Sequence, residues 1–266
     1  MRNYLQPQTT GDVLRNTFAI YGKGFLAIFL IYFLPIVPFE IWKAEAKAAN
    51  NTGLFVLGNI VGVVANLFIV GAIAIAVSDI CLGNKPSAAR SYKRVFSTIP
   101  GKLLVTNFLT TMCWAIPALP LMMLYSNFSK ASGAGRILVS AAMIALLALF
   151  VTVVLRLFFA PSIVILEGMW AFSALRRSIA LTRGYNWRNF AVLILLSVVV
   201  LVILVVVSTL FILLNMKSAF AGRIFTVVVA MIIAPLFFIT VVLLYYDSRV
   251  RKEAYDNAAL AEDLRR

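Results

Sequence analysis

Histidine does not occur in these 266 residues. Its absence removes the commonest general base, the commonest metal ligand and the side chain that ordinarily titrates near neutral pH. Charge is scarce too: 13% of residues are charged, against about a quarter in a soluble domain. There are two cysteines, Cys81 and Cys113. They fall in different predicted segments, expected near opposite faces of a membrane and too far apart to bridge. Neither belongs to a CxxC or zinc pattern. No GxSxG, P-loop, dinucleotide fingerprint or HExxH is present. The ten acids are scattered along two surfaces and the tail, which gives no carboxylate pair for acid–base work. The expectation is a protein without catalytic residues, bound metal or cofactor. A water-soluble enzyme domain and a disordered tail are both excluded.

What is abundant is apolar. Hydrophobic residues make up 62% of the chain, and the mean hydropathy is +0.98. Six apolar runs, near 25–42, 54–78, 103–125, 137–159, 190–214 and 224–246, each approach the ~20 residues that a bilayer crossing needs. The first is the shortest and holds Pro35 and Pro38. Basic residues precede it and Ala44-Glu45-Ala46 follows it, as in a signal peptide. The run is longer than a usual signal core, so it is expected to be retained as a span. The fold class is all-α integral membrane, a single polytopic domain over 1–266 with a tail from 247.

The 24 basic residues outnumber the acids and leave a net charge of +14. In this context the surplus reads as loops facing an anionic leaflet, not as a nucleic-acid surface. Seventeen of the 24 lie in the N-terminal segment, the second and fourth connections and the tail. Six lie in the other three loops, and Arg156 lies inside span 4. By the positive-inside rule both termini are then cytoplasmic. The three outer loops are short and leave no room for an extracytoplasmic domain. The protein is expected in a bacterial inner membrane.

The inner connections read as amphipathic helices lying in the headgroup layer. Over 86–99, Ala88, Tyr92, Val95, Phe96 and Ile99 form an apolar stripe, with Arg90, Lys93 and Arg94 opposite. Over 169–183, Phe172, Leu175 and Ile179 mark one face. Before span 1, Leu14, Phe18 and Tyr21 lie on one side, and Asp12, Arg15 and Asn16 on another. The order is surface helix, span, span, three times. The copies register on Gly22, Gly101 and Gly184, each preceded seven residues earlier by Arg15, Arg94 or Arg177. Asp79, Glu167 and Asp247 end or follow the even-numbered spans. A threefold repeat is one reading of this spacing. Coincidence among basic inner loops is the other.

Three stretches carry a resemblance: Pro161 to Gly168, Ala174 to Ser178 with Thr182-Arg183-Gly184 and Trp187-Arg188, and Tyr245 to Glu253. Together they resemble a broad bacterial family of six-span membrane proteins, which includes the membrane domain ahead of some glycerophosphoryl diester phosphodiesterases. The resemblance implies a six-helix inner-membrane protein. It does not imply phosphodiesterase activity, because that catalytic domain is a separate soluble barrel that needs histidines.

Candidate lipid-phosphate residues are Arg15, Arg94, Arg176, Arg177 and Arg183, since the guanidinium fork suits phosphate. The competing reading makes them plain anchors, or partners of Asp79, Glu167 and Asp247. Arg156 either snorkels to the interface or pairs with Glu167 or a lipid phosphate. Gly58 and Gly62 form a GxxxG that permits close helix approach, within the chain or in a homo-oligomer. The expected function is a non-enzymatic protein that engages anionic lipid. It would organise the membrane or serve as the membrane subunit of a lipid or envelope complex. A small-solute or lipid transporter or channel is the alternative, favoured by the kinking prolines and by Asn59, Asn66, Asn107, Thr110 and Thr111 within spans. A midplane ionisable group, usual in proton-coupled transport, is missing. An intramembrane lipid enzyme is a third class. The expected partners are anionic lipids and, at the tail, a soluble protein.

Overall fold

The computed structural model describes residues 4–98, 100–130, 132–213 and 219–264. Among the described residues all regular structure is helical. Six segments are long and apolar enough to cross a membrane. They are α2 (Phe25–Ala48), α3 (Thr52–Cys81), α5 (Pro100–Asn127), α6 (Ala134–Leu157) continued by α7 (Ala160–Glu167), α9 (Asn186–Leu213) and α10 (Ala219–Glu253). Four short α-helices, α1 (Thr10–Lys23), α4 (Ala88–Thr98), α8 (Ala171–Thr182) and α11 (Asn257–Asp263), and one 3-10 turn, Phe128–Lys130, complete the described residues.

Two boundaries move for physical reasons. The fourth span does not end at 159. A break after Leu157 is followed by a fresh helix with Pro161 in its first turn, where the missing N–H costs nothing. That helix runs to Glu167, and Gly168 ends it in the left-handed region at φ 67°. The last span does not release a tail at 247. The helix carries its charged end on to Glu253, and the chain then folds back into α11.

The short helices, the loops between them and most of the basic residues gather at one end, called here the basic end. There the even-numbered spans meet. Ala72, Ile73, Ala74, Ala76 and Val77 of α3, Ile163 and Val164 of α7, and Leu243 to Tyr246 of α10 are fully buried in one core. The Phe159 ring meets Tyr245 edge-on at 5.9 Å. The Tyr246 hydroxyl shares a hydrogen bond with that of Ser78. Gly71 permits this closeness, since a Cβ there would lie 3.1 Å from both Ile165 and Val95.

Away from the basic end the packing thins. α2 pairs with α3, and α5 with α6, as hairpins whose far halves are apolar and exposed. Leu54, Phe55, Leu57 and Ile60 of α3 and Ile137, Leu138 and Ile144 of α6 all lie on the surface. Between hydrophobic helices in lipid there is little driving force beyond shape and hydrogen bonds, so such surfaces are stable facing acyl chains.

The short helices are docked by hydroxyls as well as by apolar stripes. On α4, Val95 is buried and Tyr92 half-buried, while Phe96 is exposed. Ile99, the last member of its stripe, lies outside the described residues. On α8, Leu175 is buried but Phe172 and Ile179 are exposed. The Ser178 hydroxyl donates to the Arg156 carbonyl, 2.7 Å away, at the break after α6. On α1 the expected polar side is not exposed throughout: Asn16 is buried, with Thr17, Val13 and Ile20. Thr17 faces α10, where its hydroxyl and that of Thr240 lie 3.0 Å apart. Asn16 donates to the Gln8 side chain at 3.1 Å. The contact is with protein, so polar pairs can be satisfied inside it.

The three registering glycines do not share a role. A Cβ on Gly22 or Gly101 would meet nothing within 4 Å, whereas Gly184 takes φ 88°. The crowded glycine is Gly24, where a Cβ would fall 2.6 Å from the Ile80 side chain.

Candidate functional site

The charged groups at the basic end form two linked centres, and both are built on the last turns of α10. In a helix, residues four apart share a face. Tyr245, Arg249 and Glu253 make one such row, and Asp247 and Arg251 another.

Arg249 is the hub of the first row. Its guanidinium donates to Asp263 at 2.6 Å, to Glu253 at 3.1 Å and to the Tyr245 hydroxyl at 3.1 Å. It lies 3.9 Å from Glu167 and covers the Tyr255 ring, 3.7 Å from its centroid. Glu167, at the end of α7, accepts from the Tyr245 hydroxyl at 2.7 Å and from Arg177 of α8 at 3.1 Å. Arg177 also grips Glu253. Its guanidinium is held above its ordinary value: burial opposes the charge, but the hydrogen bond to Glu253 and the charge of Glu167 outweigh it. Tyr255, whose hydroxyl donates to Asp263 at 2.7 Å, is pushed well above the usual phenol range by burial and then by that bond.

Asp247 anchors the second row. It accepts from the Gln8 backbone N–H at 2.7 Å and from Arg251 at 2.8 Å, and it pairs with Arg188 of α9. Arg188 and Arg251 also donate to the Gln8 carbonyl. The segment before α1 is thereby tied to α9 and α10.

The sequence-derived candidates separate into three groups. Arg177, Glu167 and Asp247 are inside these centres. Arg94 and Asp79 lie at their edge: Arg94 reaches the Asp263 carbonyl at 3.4 Å. Burial holds the Arg94 guanidinium below its ordinary value, partly offset by the charge of Asp79. One oxygen of the buried Asp79 carboxylate has no hydrogen-bond partner among the described residues. Arg15, Arg156, Arg176 and Arg183 are exposed. Arg15 pairs with Asp12 on its own helix. Arg156 does not pair with Glu167, whose oxygens are taken by Arg177 and Tyr245.

Gly58 packs against Trp42 and Lys43 of its own hairpin, while a Cβ on Gly62 would meet nothing within 4 Å. The GxxxG is therefore not one continuous contact within the chain. Cys81 is a buried free thiol at the basic end of α3. Cys113 is also free. It lies about 20 Å along α5 from its start, at 1.5 Å per residue, which is mid-span and not at the opposite face. No group of three or more metal-ligating side chains occurs among the described residues.

Arg249, Arg251, Arg188 and Gln8 were not singled out in the sequence. The signal that could have found the first two is the i, i+4 spacing in Tyr245–Arg249–Glu253 and Asp247–Arg251. The short motifs that carry the family resemblance do contribute Glu167, Arg177, Asp247, Arg249 and Glu253. Comparison with protein-family models, curated proteins and solved structures finds no match for this chain.

Proposed function

We propose that this protein is a non-enzymatic component of a bacterial inner membrane, with both termini cytoplasmic, whose basic end engages anionic lipid. It organises the membrane or serves as the membrane subunit of a lipid or envelope complex. In this reading α1, α4 and α8 are the interfacial helices of three helix–span–span units, related to the six-span family whose motifs the chain resembles.

The observation that carries the reading is the outward face of α8. Phe172 and Ile179 are exposed beside Arg176 and Arg183, and none of these four is used in the charged centres. Apolar side chains aimed outward next to arginines that meet no carboxylate among the described residues suit a surface that is part acyl chain and part phosphate. Trp170 and Trp187 flank the helix, 63% and 84% exposed, as aromatic residues do at a membrane interface. The two buried centres brace this surface. Their charges are spent on one another, which suits a structural role better than proton or substrate handling. The axis at the basic end is filled by Phe159, Tyr245 and Tyr246, so a solute path gains no support there.

The test is lipid analysis of the protein extracted in polymer discs with its native surroundings. Enrichment of anionic lipid over the bulk membrane is expected. Disc lipid identical to the bulk would sink the proposal.

A further inference from the structure

One cavity at the basic end is lined by two arginines and no acid. Arg156, in the last turn of α6, and Arg183, capping α8, line it with Ile179 between them. Its volume is about 290 Å³. Neither guanidinium meets a carboxylate among the described residues. Glu253, beside Lys252 at the end of α10, is held by Arg177 and Arg249.

The backbones of both arginines are nevertheless pinned. Ser178 donates its hydroxyl to the Arg156 carbonyl at 2.7 Å. Lys252 donates to the Arg183 carbonyl at 2.7 Å and also to that of Ala180. Lys252 adds a third positive charge behind the cleft. Like charges gathered without a counterion repel one another, and an anion between them removes that cost. The backbone on both sides of the cleft is held in place, while neither guanidinium meets a carboxylate among the described residues.

The ligand chemistry follows from the surroundings. Two planar forks suit a tetrahedral oxyanion taken bidentately. One side of the cleft is the last turn of α6, and α6 is apolar and exposed along its far half. Ile179, partly exposed, adds an apolar side chain to the lining. A phosphate bonded to acyl chains fits both features at once. We infer that the Arg156–Arg183 cleft holds the phosphate of a single membrane phospholipid with a net negative headgroup, its chains lying along α6. This rests on the lipid-facing reading of the basic end.

The experiment is native mass spectrometry of the full chain released from vesicles of equal parts phosphatidylethanolamine and phosphatidylglycerol. One phosphatidylglycerol should survive collisional stripping of the rest. In Arg156→Gln/Arg183→Gln its retained fraction should fall about tenfold or more, the loss of charge-assisted contacts. Arg156→Lys/Arg183→Lys keeps the charge and loses the forks, so it should retain an intermediate amount. Retention equal to wild type in the Gln pair overturns the site, and retention equal to wild type in the Lys pair overturns the bidentate geometry. Inorganic phosphate in millimolar excess should leave the retained lipid in place. Displacement by it would assign the cleft to the free ion and overturn the lipid. Anionic enrichment in polymer discs that persists in the Gln pair separates the two claims: the cleft can fail while the lipid-facing surface stands.

Discussion

The Tyr92 hydroxyl on α4 donates to the Ile31 carbonyl on α2 at 2.6 Å. Ile31 is four residues before Pro35, so its carbonyl is the acceptor that proline leaves without a helical donor. In lipid no water replaces that donor, and the tyrosine does. Tyr92→Phe should therefore cost about 1 kcal/mol, read as a lower unfolding midpoint in detergent. Pro35→Ala restores an N–H at position 35 and should make the second change nearly neutral. A double-mutant cycle measures the coupling. Strictly additive effects would show that Tyr92 serves some other contact.

Arg249 touches more charged partners than any arginine proposed from the sequence. Its side chain is 11% exposed, and it sits between Glu167, Glu253 and Asp263. Removing one partner of a buried network leaves the others uncompensated, at about 3–5 kcal/mol. Arg249→Met should cost that much. Arg176→Gln, on the exposed side of α8, should change stability by about 0.5 kcal/mol or less. Chemical or thermal unfolding of both variants in the same detergent compares them directly. Equal effects would contradict the hub.

The spans were legible because each is a long apolar run, and a run of that length has one stable form in lipid. Helices at α1, α4 and α8 were expected from the period, but it did not tell which residues they bury: Phe96, Phe172 and Ile179 of the expected stripes are exposed. The charged centres were legible only in part. Glu167 and Arg177 stand out by their offsets from span ends, and the structure pairs them at 3.1 Å. Arg249 and Arg251 fall in the sequence within a motif of the family resemblance and among the basic residues of the tail, but neither reading pairs them with an acid, because the tail is taken to begin at 247 and α10 continues to Glu253. Asn16 counts as outward in the sequence for a similar reason. It is buried beside Gln8, in the segment before α1, and a stripe of periodicity carries no such partner.

The C-terminal segment is a latch rather than a free tail. Leu260 is fully buried, Tyr255 stacks on Tyr246 at 6.1 Å, and Asp263 receives Arg249. The chain turns back at Ala254, which holds φ 51°, a conformation that suits glycine better than a residue with a Cβ. Ala254→Gly should stabilise the latch slightly, by up to about 1 kcal/mol. Leu260→Asp should release it, since an unpaired charge does not stay in that pocket. Limited proteolysis reads both: cleavage after residue 253 should quicken in Leu260→Asp and not in Ala254→Gly. Equal protection in the aspartate variant would show that α11 is held without its leucine.

Alkaline pH should loosen the docking of α1. The Tyr21 hydroxyl donates to the Ile232 carbonyl at 2.9 Å, three residues before Pro235. Burial pushes this phenol from 10.0 up to about 12. Tyr92 and Tyr255 are raised in the same direction, chiefly by burial. A group whose folded value is raised keeps its proton more tightly when folded. Its contribution is then complete below pH 10 and is lost as the pH climbs toward 12. Each such tyrosine adds a slope of about 1.4 kcal/mol per pH unit in that window. The unfolding midpoint should be flat from neutral pH to about 10 on this account and should then fall. Tyr21→Phe should start lower at neutral pH, for want of the hydrogen bond, and fall less steeply above pH 10. Curves that run parallel throughout would mean that Tyr21 ionises as freely in the folded protein as in the unfolded chain.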